Sequence, residues 1–167
     1  MRIINEVFRI NLRGMGMEII IIILGLVLDR ITKLWAVGYF KTHDDIIVIK
    51  NYFNITYLTN KGAAWGSFQN KLLFLSIITS AVVIFMIYYL IKNKKSSKFL
   101  NVSLALIISG ALGNLFDRLY YKYVVDFILF HFRDVYYYPV FNVADMLVVI
   151  GTILLVIHVL WLDKNED

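Results

Sequence analysis

LLFLSIITSAVVIFMIYYLI, residues 72–91, is twenty residues long and carries no charge. About 20 apolar residues in an α-helix, at about 1.5 Å each, cross the roughly 30 Å hydrocarbon of a bilayer. The stretch therefore reads as a membrane span. Three more apolar stretches of that length lie around it, at about 17–40, 99–120 and 141–162. The expected fold is an all-α membrane protein with four transmembrane helices, in one domain covering residues 1–167.

Composition agrees with this class. The 167 residues are 60% hydrophobic, with mean hydropathy +0.71, where soluble domains stay near half apolar. The net charge of +5 suits anionic lipid headgroups, and membrane lipids are expected partners rather than nucleic acid. There is no cysteine, which excludes a disulfide, a thiol nucleophile and a Cys-ligated metal. Neither a metal nor any other cofactor is expected.

Orientation follows from the basic residues. KNKKSSK (92–98) holds four lysines in seven residues, and Arg2, Arg9 and Arg13 precede the first span. Both belong on the cytoplasmic side, and four spans then place both termini inside. The first outer loop, about 41–70, contains IIVIKNYFNITYLT (46–59). Its β-branched and aromatic content predicts one or two short strands at the membrane surface. The second outer loop is about 121–140. The first span has no A-x-A-like cleavage site and continues past Asp29 and Lys33, so it is read as retained. Ahead of it, RIINEVFRINLR (2–13) is either an amphipathic strip or untranslated, with a start at Met15 or Met17. Either way it is dispensable for activity.

On this topology the unusual polar residues converge on one level. Asp29 and Lys33 fall in the outer half of the first span. NKGAAWG (60–66) precedes the second span at its outer end. Asn114, Asp117 and Arg118 close the third. Asp126 lies in the second outer loop, and Asn142 and Asp145 open the fourth span. The inner half is expected to hold almost none.

Spacing groups these residues by face. Gly110, Asn114 and Asp117 lie at i, i+4, i+7, and Ser109 with Gly113 lets a neighbouring helix approach. Asp29 and Lys33 have the i, i+4 order of an intrahelical ion pair, read as structural. Asp117 beside Arg118 is either an interfacial salt bridge or part of a site. Asn114 and Asn142 serve as interhelical hydrogen-bonding groups or as site supports. His43 and His131 read as isolated loop histidines, and His158 as an interface residue.

Asp126 and Asp145 remain. An ionisable carboxylate at a membrane helix costs about 2.5–3.5 kcal/mol at mid-helix. HExxH, GxSxG, GxGD, P-loop and dinucleotide signatures are all missing. Two neighbouring carboxylates share one proton. The ionised one deprotonates water while the protonated one polarises a carbonyl. Which residue plays which part is open in the sequence. The rival readings are a proton- or ion-coupled transporter and a non-catalytic membrane adaptor.

The ordered set DRITK (29–33), NKGAAWG (60–66), GALGNLFDR (110–118), VVDF (124–127) and FNVAD (141–145) resembles the bacterial lipoprotein signal peptidases, or signal peptidase II. The resemblance covers about Leu28 to Ile150. It implies an aspartic endopeptidase of the bacterial cytoplasmic membrane that cleaves diacylglyceryl-modified prolipoproteins just before the lipidated cysteine. Asp126 and Asp145 match the catalytic pair. Asn60, Gly62, Ala64, Gly110, Asn114, Asp117, Arg118, Asn142 and Ala144 match supporting positions, as do Asp29 and Lys33. The resemblance also implies a small β-cradle in the first outer loop and a short helix within about 127–138. Many members have Ser or Thr where this chain has Met146, and a second acid where it has Leu129. A monomer is expected, with its active site at the outer leaflet.

Overall fold

The computed structural model describes residues 14–62, 68, 71–93, 97–133 and 135–162, with Trp161 and Leu162 described for backbone only. The N-terminal strip at 2–13, Ala64 and the centre of the lysine loop lie outside the described residues.

In chain order the elements are α1 (Gly16–Tyr39), β1 (Ile46–Ile49), β2 (Phe53–Asn60), α2 (Leu72–Lys92) and α3 (Lys98–Tyr120). They continue with β3 (Val124–Phe132), β4 (Tyr136–Tyr137) and α4 (Val143–Ile157), which runs into a π-helical turn at His158–Leu162. Among the described residues three helices are long and apolar enough to cross a membrane: α2, α3 and Val143–Leu160. α1 has the length, 24 residues, but places Asp29, Arg30 and Lys33 within little more than one turn.

α3 is the centre of the bundle and packs on α1, α2 and α4. Its sequence explains the position. Ser103, Ala105, Ser109, Gly110 and Gly113 are small and buried, and lipid supplies no hydrophobic drive between helices, so close packing must hold them. Gly110 lies against the backbone of Ala144, and Gly151 of α4 lies against Ile107 and Ser103. Ser109 donates to Ile22 O of α1 at 3.0 Å. By contrast α2 buries only Ser76, Val83 and Leu90; the rest of its surface is the apolar face a bilayer covers.

The strands form one antiparallel sheet in the order β1-β2-β3-β4. Asn51 makes the turn between β1 and β2 at φ +71°, a left-handed conformation that asparagine tolerates. After α3 the chain reverses through Lys122 at φ +66°, whose Nζ donates to Leu119 O at 2.7 Å. β3 is thereby brought back to pair with β2, Asn60 opposite Val124 and Leu58 opposite Asp126. Ala36, Val125 and Phe127 form a small core that docks the sheet on the end of α1.

Two expectations are corrected. The sheet draws on both outer loops, and the helix anticipated within 127–138 is a strand through Phe132 followed by β4. VVDFILFHF is β-branched and aromatic, and from Val124 to Phe130 it pairs with β2 across a bulge. The end of the bundle opposite the sheet is also not free of polar groups. Glu18 and Asn101 are buried there, and Asn101 Nδ2 donates to Glu18 Oε1 at 3.0 Å.

Candidate active site

Two elements deliver the carboxylates. Asp126 sits on β3 opposite Leu58 and is 2% exposed. Asp145 is in the first turn of α4, where Asn142 is the N-cap of a reciprocal capping box. Asp145 N donates to Asn142 Oδ1 at 3.0 Å, and Asn142 N donates to Asp145 Oδ2 at 3.1 Å. The sequence Asn-x-x-Asp thus starts a helix and places a carboxylate in one move.

Three asparagines tie the pair together. Asn142 Nδ2 donates to Asp126 Oδ1 at 2.6 Å, so the cap of α4 also grips β3. Asn114 Nδ2 of α3 donates to Asp145 Oδ1 at 2.8 Å. Asn60 Nδ2, at the end of β2, donates to Asp126 Oδ2 at 2.9 Å, while Gly62 N donates to Asn60 Oδ1 at 2.9 Å. Burial pushes the Asp126 carboxyl up to about 7, and the charge of Asp145 adds to this; the Asn60 and Asn142 hydrogen bonds oppose it.

A second polar cluster lies beside the first, deeper among the helices. Lys33 Nζ is within 2.9 Å of Asp29 Oδ2 and of Asp117 Oδ2, and it donates to Asn114 Oδ1 at 2.9 Å. Arg30 Nη2 meets Asp117 Oδ1 at 2.6 Å, its guanidinium lying 4.5 Å from the centre of the Phe116 ring. Ala144 N donates to Asp29 Oδ1 at 3.1 Å. Gly113 leaves room for Asp29, whose Oδ2 is 2.6 Å from where a Cβ would sit.

The pair opens onto a cavity of about 940 Å³. Asn60, Asn114, Arg118, Asp126 and Asp145 form its polar end, Phe130, Tyr136, Tyr138 and Phe141 an aromatic wall, and Met146, Val149 and Ile150 an apolar flank along α4. Met146 therefore lines the same cavity as Asp145. Leu129 instead stands opposite Asn54 in the sheet. Chemically, the arrangement offers two neighbouring carboxylates, a geometry in which such groups share one proton, and an apolar trough beside them.

The predicted residues divide accordingly. Asp126, Asp145, Asn60, Asn114 and Arg118 line the cavity, and Asn142 is buried behind Asp126. Asp29, Lys33 and Asp117 form the deeper cluster; Gly62 orients Asn60, and Gly110 with Ala144 sets the α3–α4 approach. The suggested Asp117–Arg118 bridge is replaced by Asp117 pairing with Arg30 and Lys33, because helical neighbours at i, i+1 face different ways. Arg118 turns to the cavity, and its buried Nε has no hydrogen-bond partner among the described residues. Sequence reasoning missed Arg30. Its signal was present in DRITK: a guanidinium in an apolar helix needs a partner beyond the next residue.

Comparison with known proteins now bears on this geometry. The profile of the family described as "Signal peptidase (SPase) II" matches residues 21–161. The lipoprotein signal peptidase of Clostridium tetani (strain Massachusetts / E88) is 55% identical over 151 residues, covering 90% of this chain and 97% of that protein. That of Clostridium novyi (strain NT) is 54% identical over 144 residues, covering 86% and 97%. A solved bacterial membrane enzyme, determined by the in meso method at 2.3 Å resolution, matches with TM-score 0.79 and 36% identity over 91% of this chain and 92% of that one.

Proposed function

The chain belongs to the signal peptidase II family, proteases that remove signal peptides from lipoproteins, and from that premise we propose that Asp126 and Asp145 are its catalytic pair. The single observation that carries this reading is the meeting of the two carboxylates at the polar end of one cavity, held by amides and facing no cation within ion-pair distance among the described residues. Aspartic proteolysis needs that arrangement: one carboxylate accepts a proton from water while the other, still protonated, polarises the scissile carbonyl.

The substrate is a diacylglyceryl-modified prolipoprotein, cut before the lipidated cysteine. Each buried methylene of the lipid contributes about 0.8 kcal/mol of membrane affinity, and the apolar flank of Met146, Val149 and Ile150 gives it a place beside the carboxylates. Asn60 and Arg118 are positioned at the polar end to meet the peptide backbone; Ala64, outside the described residues, is a supporting position by the NKGAAWG motif alone.

α1 serves as the fourth span of the bacterial cytoplasmic membrane. Its charges turn inward to Asp117 and Asn114, leaving Ile20, Leu24, Val27, Ile31 and Leu34 exposed to lipid. Both termini are cytoplasmic, the sheet lies at the outer leaflet, and the chain works as a monomer.

Purified protein is given one prolipoprotein with and without diacylglycerol. Release of the signal peptide from the lipidated form alone is expected, and it survives strong chelators. Equal cleavage of both forms would reject lipid gating, and loss of activity in chelator would reject a metal-free mechanism. Single cysteines introduced into the cysteine-free chain report topology by labelling from either side.

A further inference from the structure

The three asparagines around the carboxylates cannot turn over. A side-chain amide has one accepting and one donating end, whereas an ammonium and a backbone N–H only donate. Asn114 Oδ1 accepts from Lys33 Nζ, so its NH₂ end must face Asp145 Oδ1. Asn142 Oδ1 accepts from Asp145 N, so its NH₂ end faces Asp126 Oδ1. Asn60 Oδ1 accepts from Gly62 N, so its NH₂ end faces Asp126 Oδ2. The remaining oxygen, Asp145 Oδ2, accepts from Asn142 N. All four carboxylate oxygens therefore face donors, and none of these partners can accept the pair's proton. It must sit on a lone pair turned toward the cavity, the water or the substrate.

The two carboxylates are nevertheless not equivalent. Asp145 lies in the first turn of α4, where the helix dipole favours a negative charge. The amide that meets it is bonded at its other end to an ammonium. Asp126 lies on a strand, and both its amide donors are backed by neutral backbone N–H groups. The charged groups facing Asp145 are Lys33 from α1, Arg118 from α3 and Asp126 from β3; those facing Asp126 are Asp145, Lys33 and Arg118. Asp29 and Asp117 face Lys33, and Arg30 faces Asp117.

We propose that Lys33, acting through Asn114, is a positioning residue that fixes the division of labour: Asp145 is the resting carboxylate that deprotonates water, and Asp126 carries the proton offered to the scissile carbonyl. This rests on the reading of the two residues as the catalytic pair.

The step balances. Water oxygen bonds to the carbonyl carbon, its proton passes to Asp145, and the Asp126 proton passes to the carbonyl oxygen, giving a tetrahedral diol. The C–N bond then breaks as Asp145 returns its proton to the departing amine nitrogen. Asp126 recovers a proton from the diol, whose carbon becomes the new carboxyl of the signal peptide.

Carboxyl infrared titration of Asp126→Asn and Asp145→Asn, each against the double variant, reads one member at a time. Asp145 is expected to titrate at lower pH than Asp126. In parallel, Asn114→Leu should raise the acid limb of the kcat/KM profile by about one pH unit and leave the alkaline limb in place. Asn60→Leu should raise the alkaline limb alone. If Asn114→Leu fails to fold, Asn114→Ser replaces it. Reversed or coincident titrations, or an alkaline shift from the Asn114 variant, overturn the assignment. Cleavage by either single Asp→Asn variant would instead overturn the catalytic pair itself, which keeps the two failures apart.

Discussion

Two carboxylate pairs lie side by side in this bundle and are closed in opposite ways. Asp29 and Asp117 are met by Lys33 and Arg30, two charges against two. Asp126 and Asp145 are met by Asn60, Asn114, Asn142 and a backbone N–H, none of them charged. Cations pair with a carboxylate and occupy its charge; amides hold it in place and cannot take its proton. A buried acid in a membrane protein is thus better interpreted by what closes it than by its burial. Asn114 links the two pairs, bonded to Lys33 on one side and to Asp145 on the other.

The contrast breaks first at the amide-closed pair. Asp126→Asn and Asp145→Asn should each lower cleavage by about 10³-fold or more, with substrate binding and folded yield close to those of the parent. Substantial activity in either variant would erase the distinction between the pairs.

The cation-closed pair should respond in the other currency, stability. Lys33→Met leaves Asp29 and Asp117 facing each other with Arg30 alone, and should cost about 3–5 kcal/mol, read as lost folded yield and a lower unfolding midpoint. A variant as stable as the parent would show that Lys33 has no structural part. Gly113→Ala should act on the same pair more mildly, by about 1–3 kcal/mol, because its methyl takes the place of Asp29 Oδ2. An unchanged midpoint would mean that the Asp29 side chain shifts without cost.

The last contrast concerns pH. Asp126 has its carboxyl raised from 3.8 to about 7 by the fold. Below 3.8 it is protonated both folded and unfolded, and its charge has no effect on stability. As pH rises from there toward 7 the unfolded chain ionises while the folded one resists, so stability falls; above 7 the loss is constant. Asp126→Asn removes this term. Its unfolding midpoint should rise relative to the parent across about pH 4 to 7, then level off. A gap that narrows with rising pH would contradict the sign.

How much of this was legible in the sequence depended on the range of the interaction. α2 is readable because every position from Leu72 to Ile91 tells the same story to the same solvent. The strands at 46–49 and 53–60 fall within a stretch whose residue types favour them. β3 was not readable as a strand. Its partner is β2, some seventy residues away in the chain (Phe53 opposite Phe130), and local composition cannot announce a pairing of that range. In the site, the types and order of Asp126, Asp145 and the asparagines were visible, but the partner of Asp117 was not. Arg118 is adjacent in sequence and wrong in space; Arg30 is 87 residues away and right. The Glu18–Asn101 contact, 83 residues apart, escaped for the same reason.

Asn142 has a consequence for biogenesis. Its side chain starts α4, accepts the amide of one aspartate and holds the other. The first turn of the last helix and the spacing of the two acids are therefore a single event. A chain whose final helix has not yet wound, or has entered the bilayer out of register, has Asp126 without its holder and Asp145 without its place. On the proposed assignment the cap works as an interlock: the acid pair is complete only once α4 has wound, and a copy without that turn lacks it.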